Sequence, residues 1–208
     1  MDKLDPSRFM IIMAYQRSGT HMLGSAIASH PQLRYVDEIF RNNPPQTVEV
    51  AMATIQQYEH PDVMTYLDIK YNQIAAAEEL LWEMRVIHLV RRDDRAHWFS
   101  GLYKNYMGQH PEARQALAGR GEYPMIPFDR AGFEKFAARK ARLMAKFSYL
   151  EDIRLYYEDL TGNHQIAVLP EQAEIAICDL AGVERRPLTV TETKDAPANY
   201  RDYILEDQ

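Results

Sequence analysis

The segment that most constrains this chain is 9–30, FMIIMAYQRSGTHMLGSAIASH. Its apolar run, 9–14, has the length of a strand buried on both faces. A polar turn with one glycine follows, and then Met22, Leu23, Ala26 and Ile27 recur at helical spacing. Strand, tight loop and helix in that order turn the loop backbone and the helix N-terminus outward. Unpaired N–H groups and the positive end of the helix dipole coincide there, so the junction is a ready anion site. Arg17 adds a fixed charge, and Ser18 and Thr20 add hydroxyl donors. The plainer alternative is an ordinary turn in which Gly19 relieves backbone strain.

Against the nucleotide-binding pattern G-x-x-x-x-G-K-[ST], Gly19 takes the second glycine and Ala14 the first. Thr20 then stands at the lysine and His21 at the metal-ligating hydroxyl. The loop lacks both the lysine that reaches outer phosphates and the hydroxyl that ligates magnesium, which disfavours an ordinary metal-dependent kinase or ATPase. The expected ligand is an anion neutralised by Arg17 and backbone amides, with no metal.

The rest of the chain alternates strand and helix. Runs at 64–69, 85–90 and 153–157 read as strands. Helical patterns cover 20–29, 44–59, 71–84, 93–106, 129–147 and 171–181, the last stopped by Gly182. Residues 108–128, with three prolines and three glycines, read as mainly loop with one short helix. The tail from Arg185 reads as irregular until a short helix within 199–205. This alternation predicts an α/β fold of P-loop type, three layers with a mostly parallel central sheet and helices on both faces. The loops after Ala14, Val90 and Tyr157 then share the rim at the carboxyl ends of the strands, where such sheets bind ligands.

Composition narrows the function classes. The 208 residues contain no linker, repeat or low-complexity tract, so 1–208 is expected to be one domain. A net charge of −6 argues against a nucleic-acid partner, so any anion must meet a local basic cluster. Cys178 is the only cysteine, which excludes an intrachain disulfide and a cysteine metal cage, and the histidines lack zinc-ligand spacing. No apolar run approaches the roughly 20 residues that span a bilayer, and the N-terminus lacks a signal-peptide pattern. The chain therefore reads as soluble and cytoplasmic, without stable membrane insertion, and nothing in it specifies an oligomeric state.

A second segment, VIHLVRRDDRAHWFSGLYKN at 86–105, repeats the logic of the first. A strand ends in Arg91-Arg92, and a helix capped by Asp93 or Asp94 brings Ser100 two turns further along. Guanidinium forks match phosphate oxygens, so two arginines on the rim suit a second anion. The alternative is an exposed pair bridged to Asp93, Asp94 or Glu38.

Together these segments resemble the sulfotransferases that use 3′-phosphoadenosine 5′-phosphosulfate (PAPS). YQRSGTHML is similar to their 5′-phosphosulfate loop, in its arginine-containing R-S-G-T branch. VIHLVRRDDRAHWFS is similar to their 3′-phosphate motif, an arginine at a strand end with a serine eight residues later. Arg92 and Ser100 have that spacing, with Arg91 as the alternative. HPQLRYVDEIF is similar to H-P-x(5)-G-E-x-F, Asp37 replacing the glycine and Glu38 matching the glutamate. LYYEDLTGN is similar to the Y-E-D-L strand end. The order holds over residues 9 to about 182, although the chain is short for the family and TETKDAPANYRDYI matches only loosely.

The resemblance implies that Gln16, Arg17, Ser18, Gly19, Thr20 and His21 hold the 5′-phosphosulfate, His21 through its backbone. Arg91 or Arg92 with Ser100 would hold the 3′-phosphate, Tyr157 would lie near adenine, and Lys194 would supply a last contact to the nucleotide. It implies metal-independent transfer of a sulfuryl group to a hydroxyl, or an amine, of a small-molecule, glycan or lipid acceptor, leaving 3′,5′-ADP. Arg17 would stabilise the leaving oxygen. Glu38 would be the general base with Asp37 in reserve, unless Glu38 only pairs with Arg17 or Arg92. Segments 40–70 and 108–128 would wall the acceptor cleft. The same residues also fit a metal-independent nucleotide-binding transferase, a divergent kinase-like protein, or a non-catalytic nucleotide-binding module. His30 and His88 read as structural, and His97 as sharing a helix face with Asp93 and Ser100. The basic run 139–146 reads as a solvated helix side, and Cys178 as core.

Overall fold

The computed structural model describes residues 4–73, 78–162, 165–192, 197 and 199–205. In chain order the elements begin with β1 (Phe9–Ala14), α1 (Thr20–Ala28), β2 (Leu33–Val36), α2 (Val48–Gln56) and β3 (Met64–Lys70). They continue through α3 (Glu78–Leu81), β4 (Arg85–Val90), α4 (Asp94–Gln109), α5 (Pro111–Arg120) and β5 (Ile126–Pro127). Then come α6 (Arg130–Phe147), β6 (Ile153–Tyr156), α7 (Tyr157–Thr161), α8 (Glu171–Ala181) and β7 (Ile204–Leu205).

β1 is buried at every position because it is the middle strand of a sheet ordered β2-β3-β1-β4-β6. All four pairings are parallel. Successive side chains of a strand face opposite ways. Met10, Ile12 and Ala14 accordingly pack with Leu23, Ala26 and Ile27 of α1 and Ile177 of α8. Phe9, Ile11 and Met13 pack on the other face with Ala51 and Ile55 of α2 and Phe147 of α6. The result is the expected three-layer α/β arrangement, helices covering both faces of a parallel sheet. Each fully buried aliphatic or aromatic side chain in these two layers stabilises it by about 1.5–3 kcal/mol. A third cluster, Phe99, Tyr103 and Met107 of α4 with Ile126 and Tyr200, seats the C-terminal segment beside α4.

The register sets the rim. Ala14 lies opposite Lys70 on one side and Leu89 on the other, so β1, β3 and β4 end together. Connections from β1 run to β2 and β3 on one side and to β4 and β6 on the other. The loop after β1 therefore sits at the switch in strand order, where open parallel sheets leave a crevice.

Several elements depart from expectation for local reasons. β2 is a four-residue strand whose burial does not alternate, so only its pairing with β3 reveals it. The helix expected over 71–84 is a 3₁₀ turn, Tyr71–Gln73, and the short α3, residues 74–77 lying outside the described residues. Gln73 Oε1 accepts from the Lys70 backbone N–H at 2.8 Å, the reach-back contact of a capping box at the start of the 3₁₀ turn. Residues 108–128 hold the ten-residue α5, which has no fully buried residue and packs only Ala113 and Leu117 partly against the α4 cluster, too little for an apolar stripe. Its Pro111 starts the helix and Gly121 ends it, so these residues are helix boundaries rather than loop markers. The strand expected over 153–157 stops at Tyr156, and Tyr157 opens α7. Among the described residues no helix is long and apolar enough to cross a membrane.

Candidate active site

The β1–α1 loop carries two left-handed residues, Arg17 at φ 67° and Gly19 at φ 97°. At Gly19 a side chain is excluded twice, by that φ and because a Cβ would lie 2.5 Å from the Tyr157 ring. Tyr157 thus packs onto the loop. The first turn of α1 has no side-chain cap, which leaves its N–H groups for a ligand.

His97 of α4 fixes the loop from behind. Its Nε2–H donates to the Gln16 carbonyl at 2.6 Å, and its ring meets Tyr15 and Phe136 edge-on. Burial, with the nearby Lys140 charge second, pushes the His97 pKa down to about 3, so the imidazole is neutral. Lys140, in the run expected to be solvated, instead turns inward from α6 and donates to the Arg91 carbonyl and the Asp94 carboxylate. An aliphatic stem that spans the α4–α6 contact buries Lys140, with its charge answered at the tip.

On the β3 side, the charge absent from the loop reappears. Lys70 Nζ donates to Thr20 Oγ1 and to both Asp68 oxygens, each at 2.6 Å, and lies 3.7 Å from Glu38 Oε1. Asp68 is fully buried, and burial pushes its pKa up even though Lys70, Thr20 and Tyr35 favour the carboxylate. The Tyr35 hydroxyl reaches both Asp68 Oδ2 and Asp37 Oδ1 at 3.1 Å, and burial beside these carboxylates raises its pKa. Gly24 makes room for that ring, since a Cβ there would lie 2.4 Å from it. Lys70, Asp68 and Tyr35 are the site residues missed from sequence. Their signal was an Asp and a Lys two apart in a buried strand, which need partners.

On the β4 side, Arg91 and Arg92 separate. Arg91 is buried, lies 4.7 Å from the Tyr157 ring centre, and approaches the Arg17 carbonyl at 3.5 Å. Arg92 turns away to Asp159 and Glu158 and over the Tyr156 ring. The expected alternative partners Asp93, Asp94 and Glu38 are not the ones it meets.

These groups surround a cavity of about 510 Å³. Of the residues expected at the site, Gln16, Arg17, Gly19, Thr20, His21, Glu38, Arg91, Ser100 and Tyr157 line it, and Arg92 does not. Ser18 lies beneath the loop, 1% exposed. Lys194 lies outside the described residues. Among the described residues Ser18 Oγ, Arg17 Nε and Arg91 Nε are buried without a hydrogen-bond partner. Such donors are costly to bury unpaired, and an anionic ligand would satisfy them. Glu38, at φ 30°, holds its carboxylate between Lys70 and Arg41 Nε, 3.7 Å from each. One atom each from His21, Asp37 and Glu38 fall within 4.8 Å of one another, a possible cation seat. The cationic Lys70 and Arg41 beside it oppose a divalent ion. His30 bonds the Glu184 carbonyl, and His88 sits in β4 against Tyr71, both structural contacts.

Fold and rim together define an α/β protein of P-loop type with a cavity at the strand ends lined by Arg17, Lys70 and Arg91. No family model and no curated protein matches the sequence. Among solved structures the chain is similar to the sulfotransferase from Alicyclobacillus acidocaldarius. The identity is 12%, covering 96% of this chain and 90% of that one, with a TM-score of 0.57. What the two share is the fold: the three-layer arrangement here is the one seen in that sulfotransferase.

Proposed function

We propose that the chain, acting as one unit over 1–208, transfers a sulfuryl group from PAPS to a hydroxyl of an acceptor. The observation that carries this reading is the convergence of Arg17, Arg91 and Lys70 on a loop whose buried donors lack partners. The shared fold and the motif order support it.

PAPS, when bound, supplies the sulfuryl group and a phosphate as leaving group. The α1 N-terminus, Ser18 and Thr20 are suited to hold the 5′ end, and Arg91 with Ser100 the 3′-phosphate, with Tyr157 beside the base. Arg91 rather than Arg92 takes this role, because Arg92 is spent on Asp159 outside the cavity. Arg17 and Lys70 set fixed positive charge where negative charge grows on the leaving oxygen, an electrostatic contribution that requires no proton transfer. Glu38 accepts the proton of the acceptor hydroxyl as its oxygen bonds to sulfur. Asp37 is less suited, because the Tyr35 hydroxyl and His21 already engage it.

Titration calorimetry tests the nucleotide half of the reading: 3′,5′-ADP should bind at least about 10-fold more tightly than 5′-AMP or ATP. Equal affinities would sink it. Turnover of sulfur-labelled PAPS against panels of sugars, phenols, lipids and peptides tests the chemical half.

A further inference from the structure

On that reading of the site, we propose that Gly101 is where the nucleotide passes closest to α4, and that Gly101 and Lys104 together set the preference for a 3′-phosphorylated ribose. Ser100, Gly101 and Lys104 all line the cavity, and their spacing puts them on one helix face. Gly101 lies inside a 16-residue helix, where glycine is less stable than alanine because of its greater backbone freedom.

The fold gives no reason for glycine at this position. Its φ is not left-handed, and an added Cβ would meet nothing within 4 Å. Gly19 and Gly24 differ, since the Tyr157 and Tyr35 rings occupy the space a Cβ would need. The room over Gly101 is cavity, so a side chain there costs ligand space and nothing else. Gly108 of the same helix also meets nothing within 4 Å but does not line the cavity, and so serves as the matched control.

Lys104 stands one turn beyond Gly101. Lys104 is exposed and shares the cavity wall with Arg91. Two cations on the wall of one cavity suit a dianionic phosphate, and a nucleotide lacking the 3′-phosphate would leave Lys104 unanswered.

The experiment measures Tm and the Kd values for 3′,5′-ADP and 5′-AMP on the full chain. The proteins are wild type, Gly101→Ala, Gly101→Val, Gly108→Ala and Lys104→Ala. Gly101→Ala and Gly108→Ala should both keep or raise Tm. Gly101→Val should weaken 3′,5′-ADP by about 10-fold or more, and Gly101→Ala by a smaller factor, while Gly108→Ala binds as wild type. Lys104→Ala should lower the ratio of 3′,5′-ADP to 5′-AMP affinity by about 10-fold, with 5′-AMP affinity unchanged. Wild-type affinity in Gly101→Val, or an unchanged ratio in Lys104→Ala, overturns the inference and leaves the sulfotransferase reading standing. If Gly101→Val does not fold, Gly101→Ala and Lys104→Ala decide. A wild-type protein without preference for 3′,5′-ADP removes both.

Discussion

Lys70 Nζ lies 2.6 Å from the Thr20 hydroxyl oxygen, across the gap between the end of β3 and the start of α1. In the common nucleotide-binding loop the lysine occupies the sequence position that Thr20 takes here. Here a lysine of the neighbouring strand β3 donates to the residue at that position.

Lys70 is consequently both a structural and an electrostatic residue, and the two roles separate experimentally. Lys70→Met leaves Asp68 buried without its counter-charge and should cost about 3–5 kcal/mol of stability by denaturant unfolding. Adding Asp68→Leu removes the unpaired carboxylate and should restore most of that loss. Turnover should stay at least about 10²-fold low in both proteins. Recovery of turnover in the double variant would assign Lys70 to the fold alone.

Glu38→Gln keeps the shape of the side chain and removes its basicity. Affinity for 3′,5′-ADP should stay within about 3-fold of wild type, while turnover of PAPS with acceptor falls by about 10²–10⁴-fold. Wild-type-like turnover would take Glu38 out of the mechanism.

Arg91 and Arg92 are adjacent in sequence and should behave differently. Arg91→Ala should weaken 3′,5′-ADP by about 1.5–3 kcal/mol, the range for a charged hydrogen-bond partner. Arg92→Ala removes an exposed pair with Asp159 and should change stability by less than about 1 kcal/mol and binding hardly at all. The reverse pattern in titration calorimetry would return the 3′-phosphate to Arg92.

Acid should loosen the fold through two buried histidines. Burial pushes His97 down to about 3 and His88 down to about 4, against an ordinary 6.5. Both are neutral when folded, so below pH 6.5 the unfolded chain binds protons that the fold refuses. Stability is therefore full above 6.5 and declines as pH falls toward the folded values. Between pH 6.5 and 5 each site should cost about 2 kcal/mol. His97→Gln can still donate to the Gln16 carbonyl and should remove about half of that slope in unfolding measured across the window.

Much of the fold was legible because burial leaves a local trace. The unbroken apolar run of β1, the β-branched content of β4 and the helical spacing of Leu23, Ala26 and Ile27 each record which faces are covered. The mostly exposed α5 and the short edge strand β2 leave no such trace, since one has no fully buried residue and the other is held by its partner strand. Of the residues that line the cavity, Arg17 and Gly19 were legible as loop chemistry, and Glu38 and Ser100 through the family resemblance.

Which arginine faces the cavity was not legible. Adjacent residues at a strand end point opposite ways, and only the packing of Tyr157 and the carboxylates Glu158 and Asp159 decided that Arg91 turns in. Lys140 likewise looked solvated until α6 docked across α4. The sequence by itself determined the parallel three-layer fold and a strand–loop–helix junction carrying Arg17, Ser18 and Thr20 after β1, because periodicity and loop chemistry are properties of neighbouring residues. The tertiary structure alone decided which lysine meets Thr20. Lys70 and Thr20 are brought together by the pairing of β3 with β1, and no spacing along the chain encodes a contact made across a sheet.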